Sequence, residues 1–134
     1  MPTRIILVDD EPDLLKALSV RLGGCGYLCE SAAHGAQALE KIRKARPDLI
    51  LTDLLMPGID GYELCRILKA DPSLASIPVI VLTAVPERAF KVSPQQLGVA
   101  FVAHKPFDSP ILVRKVKELL AHTPAAPAAS PPTI

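Results

Sequence analysis

Three acids in a row, Asp9, Asp10 and Glu11, follow directly on an apolar run at residues 5–8. Asp53, Thr83 and Lys105 each stand at or just beyond the end of a similar run. Two carboxylates about 4 Å apart repel by roughly 4 kcal/mol at an effective dielectric near 20, so adjacent acids at a strand end ask for a cation. Hard oxygen ligands suit Mg²⁺, which takes one or two carboxylates directly and keeps several waters. An aspartate can also be a nucleophile, accepting a phosphoryl group to give an acyl phosphate. In-line phosphoryl transfer needs neutralisation of the equatorial oxygens, which a divalent ion, a lysine and a hydroxyl supply together. Taken singly, each aspartate reads as a turn or cap, Thr83 as a turn hydroxyl and Lys105 as a solvated charge. Four segments delivering one coherent set favour the joint reading.

The elements that must position these residues are legible as an alternation. Short apolar runs at 5–8, 28–29, 49–52, 79–82 and 101–103 predict five strands. Between them lie helical patterns: Leu14, Leu15, Leu18 and Leu22; Ala36, Leu39 and Ile42; Leu64, Ile67 and Leu68; and finally Ile111, Leu112, Val116, Leu119 and Leu120. Strand and helix in turn predict right-handed crossovers and an α/β fold, one parallel sheet covered on both faces. In such sheets ligands bind beyond the carboxyl ends of the strands, where all the residues named above fall. Pro12 and Gly23-Gly24 bracket the first helix, and Ser109-Pro110 reads as an N-cap followed by proline at the first helical position. Pro86 and Pro94 interrupt residues 84–98, so the fourth helix is expected to be short or to begin near Pro94.

Length and composition bound the rest. At 134 residues, one domain over 1–121 is expected, with 122–134 a proline- and alanine-rich linker or tail. Fifteen basic residues against 14 acidic ones give no field that points to nucleic acid or an anionic membrane. No apolar stretch reaches spanning length, which leads to a soluble, cytoplasmic expectation. Cys25, Cys29 and Cys65 match neither a redox pair nor a zinc pair and read as idle or packed thiols. His34, His104 and His122 show no ligand spacing. Arg114, Lys115 and Lys117 read as a solvated face of the last helix.

The stretches VDDEPDLL at 8–15, LTDLLMPGIDGYEL at 51–64, IPVIVLTA at 77–84 and HKPF at 104–107 resemble, in this order and spacing, the receiver domains of two-component response regulators, the CheY-like superfamily. The resemblance covers residues 4–120. It implies a flavodoxin-like five-stranded sheet of order 2-1-3-4-5. It implies Asp53 as phosphoacceptor, loaded by a sensor histidine kinase or a phosphotransfer protein, with Mg²⁺ held by Asp9, Asp10, Asp53 and the backbone carbonyl of Leu55. Thr83 and Lys105 would contact phosphoryl oxygens, and Lys105-Pro106 would be a cis peptide. Such a domain promotes only its own phosphorylation and dephosphorylation and switches an output domain or partner, a homodimer among them, without itself binding nucleic acid.

In two respects the chain departs from that pattern. Three residues before Lys105, where the family carries a rotating aromatic, stands Val102; Phe101 is one position off and is expected on the opposite face. Pro86 and Pro94 also alter the helix that most members use for dimerising or docking an output. Phosphorylation with a different readout is therefore expected. Leu55 and Val85 offer no group to orient an attacking water, which predicts a long-lived acyl phosphate. Two other readings fit less well: a Mg²⁺-dependent aspartyl phosphatase needs an acid where Leu55 stands, and an unphosphorylated interaction module leaves the complete acid set without a role.

Overall fold

The computed structural model describes residues 3–122. Five strands, β1 (Arg4–Val8), β2 (Leu28–Ala32), β3 (Leu49–Thr52), β4 (Val79–Thr83) and β5 (Phe101–His104), form one parallel sheet in the order β2-β1-β3-β4-β5. The helices are α1 (Pro12–Gly23), α2 (Gly35–Lys44), α3 (Gly61–Ala70), α4 (Pro94–Leu97) and α5 (Ser109–His122), with a 3-10 turn at Glu87–Ala89. This is the expected α/β architecture and strand order.

Both faces of the sheet are covered, so β1, β3 and β4 read as unbroken apolar runs rather than as alternations. Their even and odd residues part into two cores. Ile6, Val8, Ile50, Val79 and Val81 pack with Leu39, Ile42, Leu64, Leu68 and Leu97 under α2, α3 and α4. Ile5, Leu7, Leu51, Ile80 and Leu82 pack with Leu18, Leu22, Leu112 and Val116 under α1 and α5. Each fully buried aliphatic side chain contributes about 2 kcal/mol, which makes these runs the scaffold that fixes the strand ends. Register then sets the site: Val8 pairs with Thr52, so the residues that follow, Asp9 and Asp53, leave the sheet side by side.

The structure corrects several local expectations. β2 extends three residues further than its apolar pair, because Glu30, Ser31 and Ala32 continue the ladder opposite Ile6, Leu7 and Val8 on an edge strand where polar residues are tolerated. On α2 the buried stripe is Gly35, Ala38, Leu39 and Ile42, leaving Ala36 exposed. On α5 the cap is Asp108 rather than Ser109: Asp108 Oδ1 accepts from the Ile111 N–H at 3.0 Å and its carbonyl from Leu112 N–H at 3.0 Å. Ser109 and Pro110 are already in the first turn, where the missing proline N–H costs nothing. Ile111 is 49% exposed and lies off the apolar stripe.

The fourth helix is short, as expected, and its start is well specified. Ser93 and Gln96 form a reciprocal capping box, Pro94 occupies the first turn, and Gly98 ends the helix at φ +73. Tyr62 on α3 holds the preceding loop: its hydroxyl accepts from the Lys91 N–H at 3.1 Å and its ring meets Phe90 edge-on, centroids 6.3 Å apart. α5 carries the fold to His122, one residue past the expected boundary, and the remainder of the expected tail lies outside the described residues.

Candidate functional site

Each strand end contributes through a local turn. Asp9, 3% exposed, donates its N–H to Ala32 O at 3.1 Å, and its Oδ1 accepts from the Glu11 N–H at 2.9 Å, which turns the chain into α1 at Pro12. Asp10 points to the exposed side of that turn. Asp53, 7% exposed, extends β3 by one bond to Val8 O at 3.0 Å. Its Oδ1 accepts from Leu54 N–H at 2.6 Å and from Leu55 N–H at 3.4 Å, leaving Oδ2 for other partners.

Behind Asp53 stands Gly61, the first residue of α3. A Cβ there would lie 2.2 Å from the Asp53 carbonyl oxygen and 2.7 Å from Leu54 Cα, so only glycine lets the helix start this close. The Gly61 N–H donates to Leu54 O at 2.8 Å and locks that approach.

Lys105 crosses from the far side of the sheet. Its N–H extends β5 by a bond to Thr83 O at 2.9 Å, and the Lys105–Pro106 peptide is cis. The ammonium reaches Asp9 Oδ2 at 2.8 Å, Glu11 Oε1 at 2.7 Å and Asp53 Oδ2 at 3.0 Å, which engages all three of its donors. Burial alone would lower the Lys105 pKa, but its bonds to the three carboxylates outweigh that and hold it above the ordinary lysine value. The Asp9 pKa is raised as well, but by burial, which its bonds to Lys105 and to the Glu11 N–H offset only in part.

The strand-end residues expected to act together are therefore largely brought together. Asp9, Asp10 and Asp53 each offer a carboxylate oxygen, all within 4.8 Å of one another. An octahedral Mg²⁺ with ligands at about 2.1 Å spans roughly 4 Å, so small side-chain rotations would let this donor set fit the ion. Thr83 is fully buried on the strand between β3 and β5, and its Oγ1 accepts from the Val85 N–H at 3.2 Å while its own proton remains free to donate. Leu55 follows Asp53 with its side chain 57% exposed, and it lines an open cavity of about 350 Å³ together with Asp10, Met56, Pro57 and Asp60. A larger cavity of about 490 Å³, between α3 and α4 against Tyr62, Cys65 and Leu97, contains none of the strand-end residues.

Sequence reasoning missed two participants. Glu11 read only as one of three adjacent acids that ask for a cation, and nothing in its spacing announced a partner 94 residues away. Gly61 was legible only as part of a motif, without its packing role. Other expectations fare differently. Phe101 and Val102 do face opposite sides, Phe101 toward the α1 and α5 core and Val102 toward the core under α2, α3 and α4. Lys115 is not simply solvated: its ammonium sits 5.3 Å from the Phe101 ring centroid and pairs with Glu118 at 2.9 Å. His34 caps α2, accepting from the Gln37 N–H. The three cysteines are free thiols.

The comparisons with known proteins agree with this geometry. A family model described as response regulator receiver domain matches residues 5–117. The DNA-binding response regulator MtrA of Mycolicibacterium smegmatis is 37% identical over 128 residues, covering 96% of this chain and 55% of that protein. RpaA of Synechocystis, a DNA-binding transcriptional regulator, is 33% identical over 95% of this chain and 53% of its own length. The chain thus spans about half the length of these relatives. Among solved structures, the signal receiver domain of a histidine kinase from Syntrophus aciditrophicus superposes with a TM-score of 0.86 at 34% identity, covering 98% of this chain and 99% of that one. The response regulator TrrA of Thermotoga maritima, in complex with Mg²⁺–BeF, gives 0.77 at 32% identity over 87% of this chain and 98% of that one. With its sheet order, its acid cluster and the lysine that closes it, the chain belongs to the response regulator receiver domain family.

Proposed function

We propose that Asp53 is the phosphoacceptor of this domain. An Asp53 carboxylate oxygen forms a bond to phosphorus as the bond from phosphorus to a donor imidazole nitrogen breaks, and the imidazole leaves with the electron pair. The donor class is a phosphohistidine on a sensor kinase or phosphotransfer protein. The observation that carries the reading is the convergence on Asp53 of a partly buried ammonium, 3.0 Å from Oδ2, and of two further carboxylates with oxygens within 4.8 Å. Asp9, Asp10, Asp53 and the Leu55 carbonyl are the groups that would hold Mg²⁺; when bound, that ion supplies positive charge beside the phosphoryl oxygens. Lys105 supplies a second positive charge, and the free Thr83 proton can donate to a third oxygen. The TrrA complex with Mg²⁺–BeF supports the metal assignment.

The domain acts only on itself in this reading, as a regulated acceptor rather than an enzyme with external substrates. The relatives of roughly double length are described as DNA-binding, which points to an output domain or partner for that step, since the charge of this chain is nearly balanced. No helix among the described residues is long and apolar enough to cross a membrane, and the cytoplasm is the compartment that suits a kinase-loaded acceptor. Position 102 carries no ring to rotate, so the phosphorylation signal leaves the site by another route than an aromatic switch on β5. Apolar Leu55 and Val85 leave the acyl phosphate long-lived.

The test is exposure to acetyl phosphate with and without Mg²⁺, followed by intact mass, on wild type and Asp53→Asn. One phosphoryl group is expected on wild type only with metal, decaying over minutes or longer after donor removal. Equal labelling of Asp53→Asn would overturn the acceptor assignment, and decay within seconds the lifetime.

A further inference from the structure

Lys105 has three N–H donors, and three carboxylates use all of them. Two of those partners, Asp9 and Asp53, are also two of the three acids grouped closely enough to hold a cation. Glu11 is the third partner and stands outside that group. Metal and lysine therefore compete for Asp9 and Asp53 but not for Glu11.

Glu11 is placed for this by its backbone. It is the N-cap residue of α1, yet its side chain makes no capping bond to the helix. Its N–H is tied to Asp9 Oδ1 at 2.9 Å, which fixes the root of the side chain beside the site. Its carboxylate is 60% exposed and reaches inward to the ammonium at 2.7 Å. The carboxylate is thus given to Lys105 instead of to the helix start.

We propose that Glu11 is a positioning residue for Lys105: it shares the ammonium with Asp9 and Asp53 and keeps it when Mg²⁺ claims those two acids. This deepens the Mg²⁺-dependent acceptor reading above and rests on it. Lysine retained at Glu11 stays within reach of a phosphoryl group on Asp53, with donors released from Asp9 and Asp53 now free to receive its oxygens. Without Glu11, the ammonium has only the metal's own ligands to hold, and Mg²⁺ must displace it outright.

The test is a double-mutant cycle on Mg²⁺ affinity, by calorimetric titration of wild type, Glu11→Gln, Lys105→Met and the double variant. Glu11→Gln is expected to weaken Mg²⁺ binding roughly three- to five-fold, the size of a partly exposed ion pair. In the Lys105→Met background the same substitution is expected to change the affinity by less than about 1.5-fold, because the contact through which it acts is gone. An equal effect in both backgrounds would mean that Glu11 acts only as a distant charge, and no effect in either would mean that it holds nothing; both overturn the proposal while leaving the acceptor reading intact. A wild type that takes up no Mg²⁺ overturns that reading and this one together.

Discussion

The replacement Gly61→Ala sets two effects of opposite sign against each other. Helix propensity and the reduced entropy of the unfolded chain favour alanine by about 0.4–1 kcal/mol together, since both count the backbone freedom that glycine loses on folding. Gly61 has no positive φ that alanine would resist, so these gains apply in full. Against them, the new Cβ lies 2.2 Å from the Asp53 carbonyl oxygen and 2.7 Å from Leu54 Cα, and both are backbone atoms that cannot rotate away. Relief to a contact near 3.4 Å moves the start of α3 by about 1 Å, at a cost of roughly 1–3 kcal/mol for overpacking. The same shift stretches the bond from Gly61 N–H to Leu54 O, worth about 1 kcal/mol more. Steric cost exceeds propensity, and a net loss of about 2 kcal/mol is expected. The chain has no tryptophan, so urea unfolding is best followed by far-ultraviolet circular dichroism. Mg²⁺ affinity should fall as well, because the displaced peptide carries Asp53. A midpoint that stays or rises would show that propensity governs this position, and would refute the claim that close backbone approach fixes Asp53.

Two further outcomes follow from the packing around α3. Burial pushes the Cys65 thiol up from its ordinary 9.0 to about 11, so the folded state binds more protons than the unfolded chain between those values. The stability this contributes is complete below about pH 9 and falls by roughly 3 kcal/mol as pH rises through 11, at 1.36 kcal/mol per pH unit. In Cys65→Ala that share of the slope disappears, and unfolding curves collected from pH 8 to 11 on both proteins measure the difference; parallel slopes would contradict it. Removal of the Tyr62 hydroxyl in Tyr62→Phe leaves the Lys91 N–H without its acceptor. Hydrogen exchange at that amide is expected to accelerate about five-fold, the equivalent of a bond worth about 1 kcal/mol, and an unchanged rate would show that the loop is held elsewhere.

The sequence was most legible where burial is two-sided. β1, β3 and β4 carry residues that both cores need, so their apolar runs begin and end close to where the strands do. β2 was under-read because an edge strand can place Glu30 and Ser31 in a ladder without a hydrophobic signal. The cap of α5 was misplaced by one residue because Asp108 and Ser109 are both good caps, and only the hydrogen bond to Ile111 separates them. The acids were legible as a set because each terminates a strand, and parallel strands bring their carboxyl ends to one edge. The reach of Lys105 to Glu11 was not, since local pattern reports spacing along the chain and not the approach of side chains across a sheet.

That reach also bears on why the acids can be assembled at all. Asp9, Asp10, Glu11 and Asp53 gather four negative charges where two adjacent ones already repel by several kcal/mol. Lys105 offsets one charge and spreads it over three of the four. The offset is incomplete, one cation against four carboxylates; separately, burial holds Asp9 above its ordinary pKa even with the ammonium 2.8 Å away. Under the proposed function this residual charge has a consequence. A phosphoryl donor meets three uncompensated negative charges until a divalent cation arrives, so the electrostatics that burden the resting fold are the same that make phosphorylation wait for Mg²⁺.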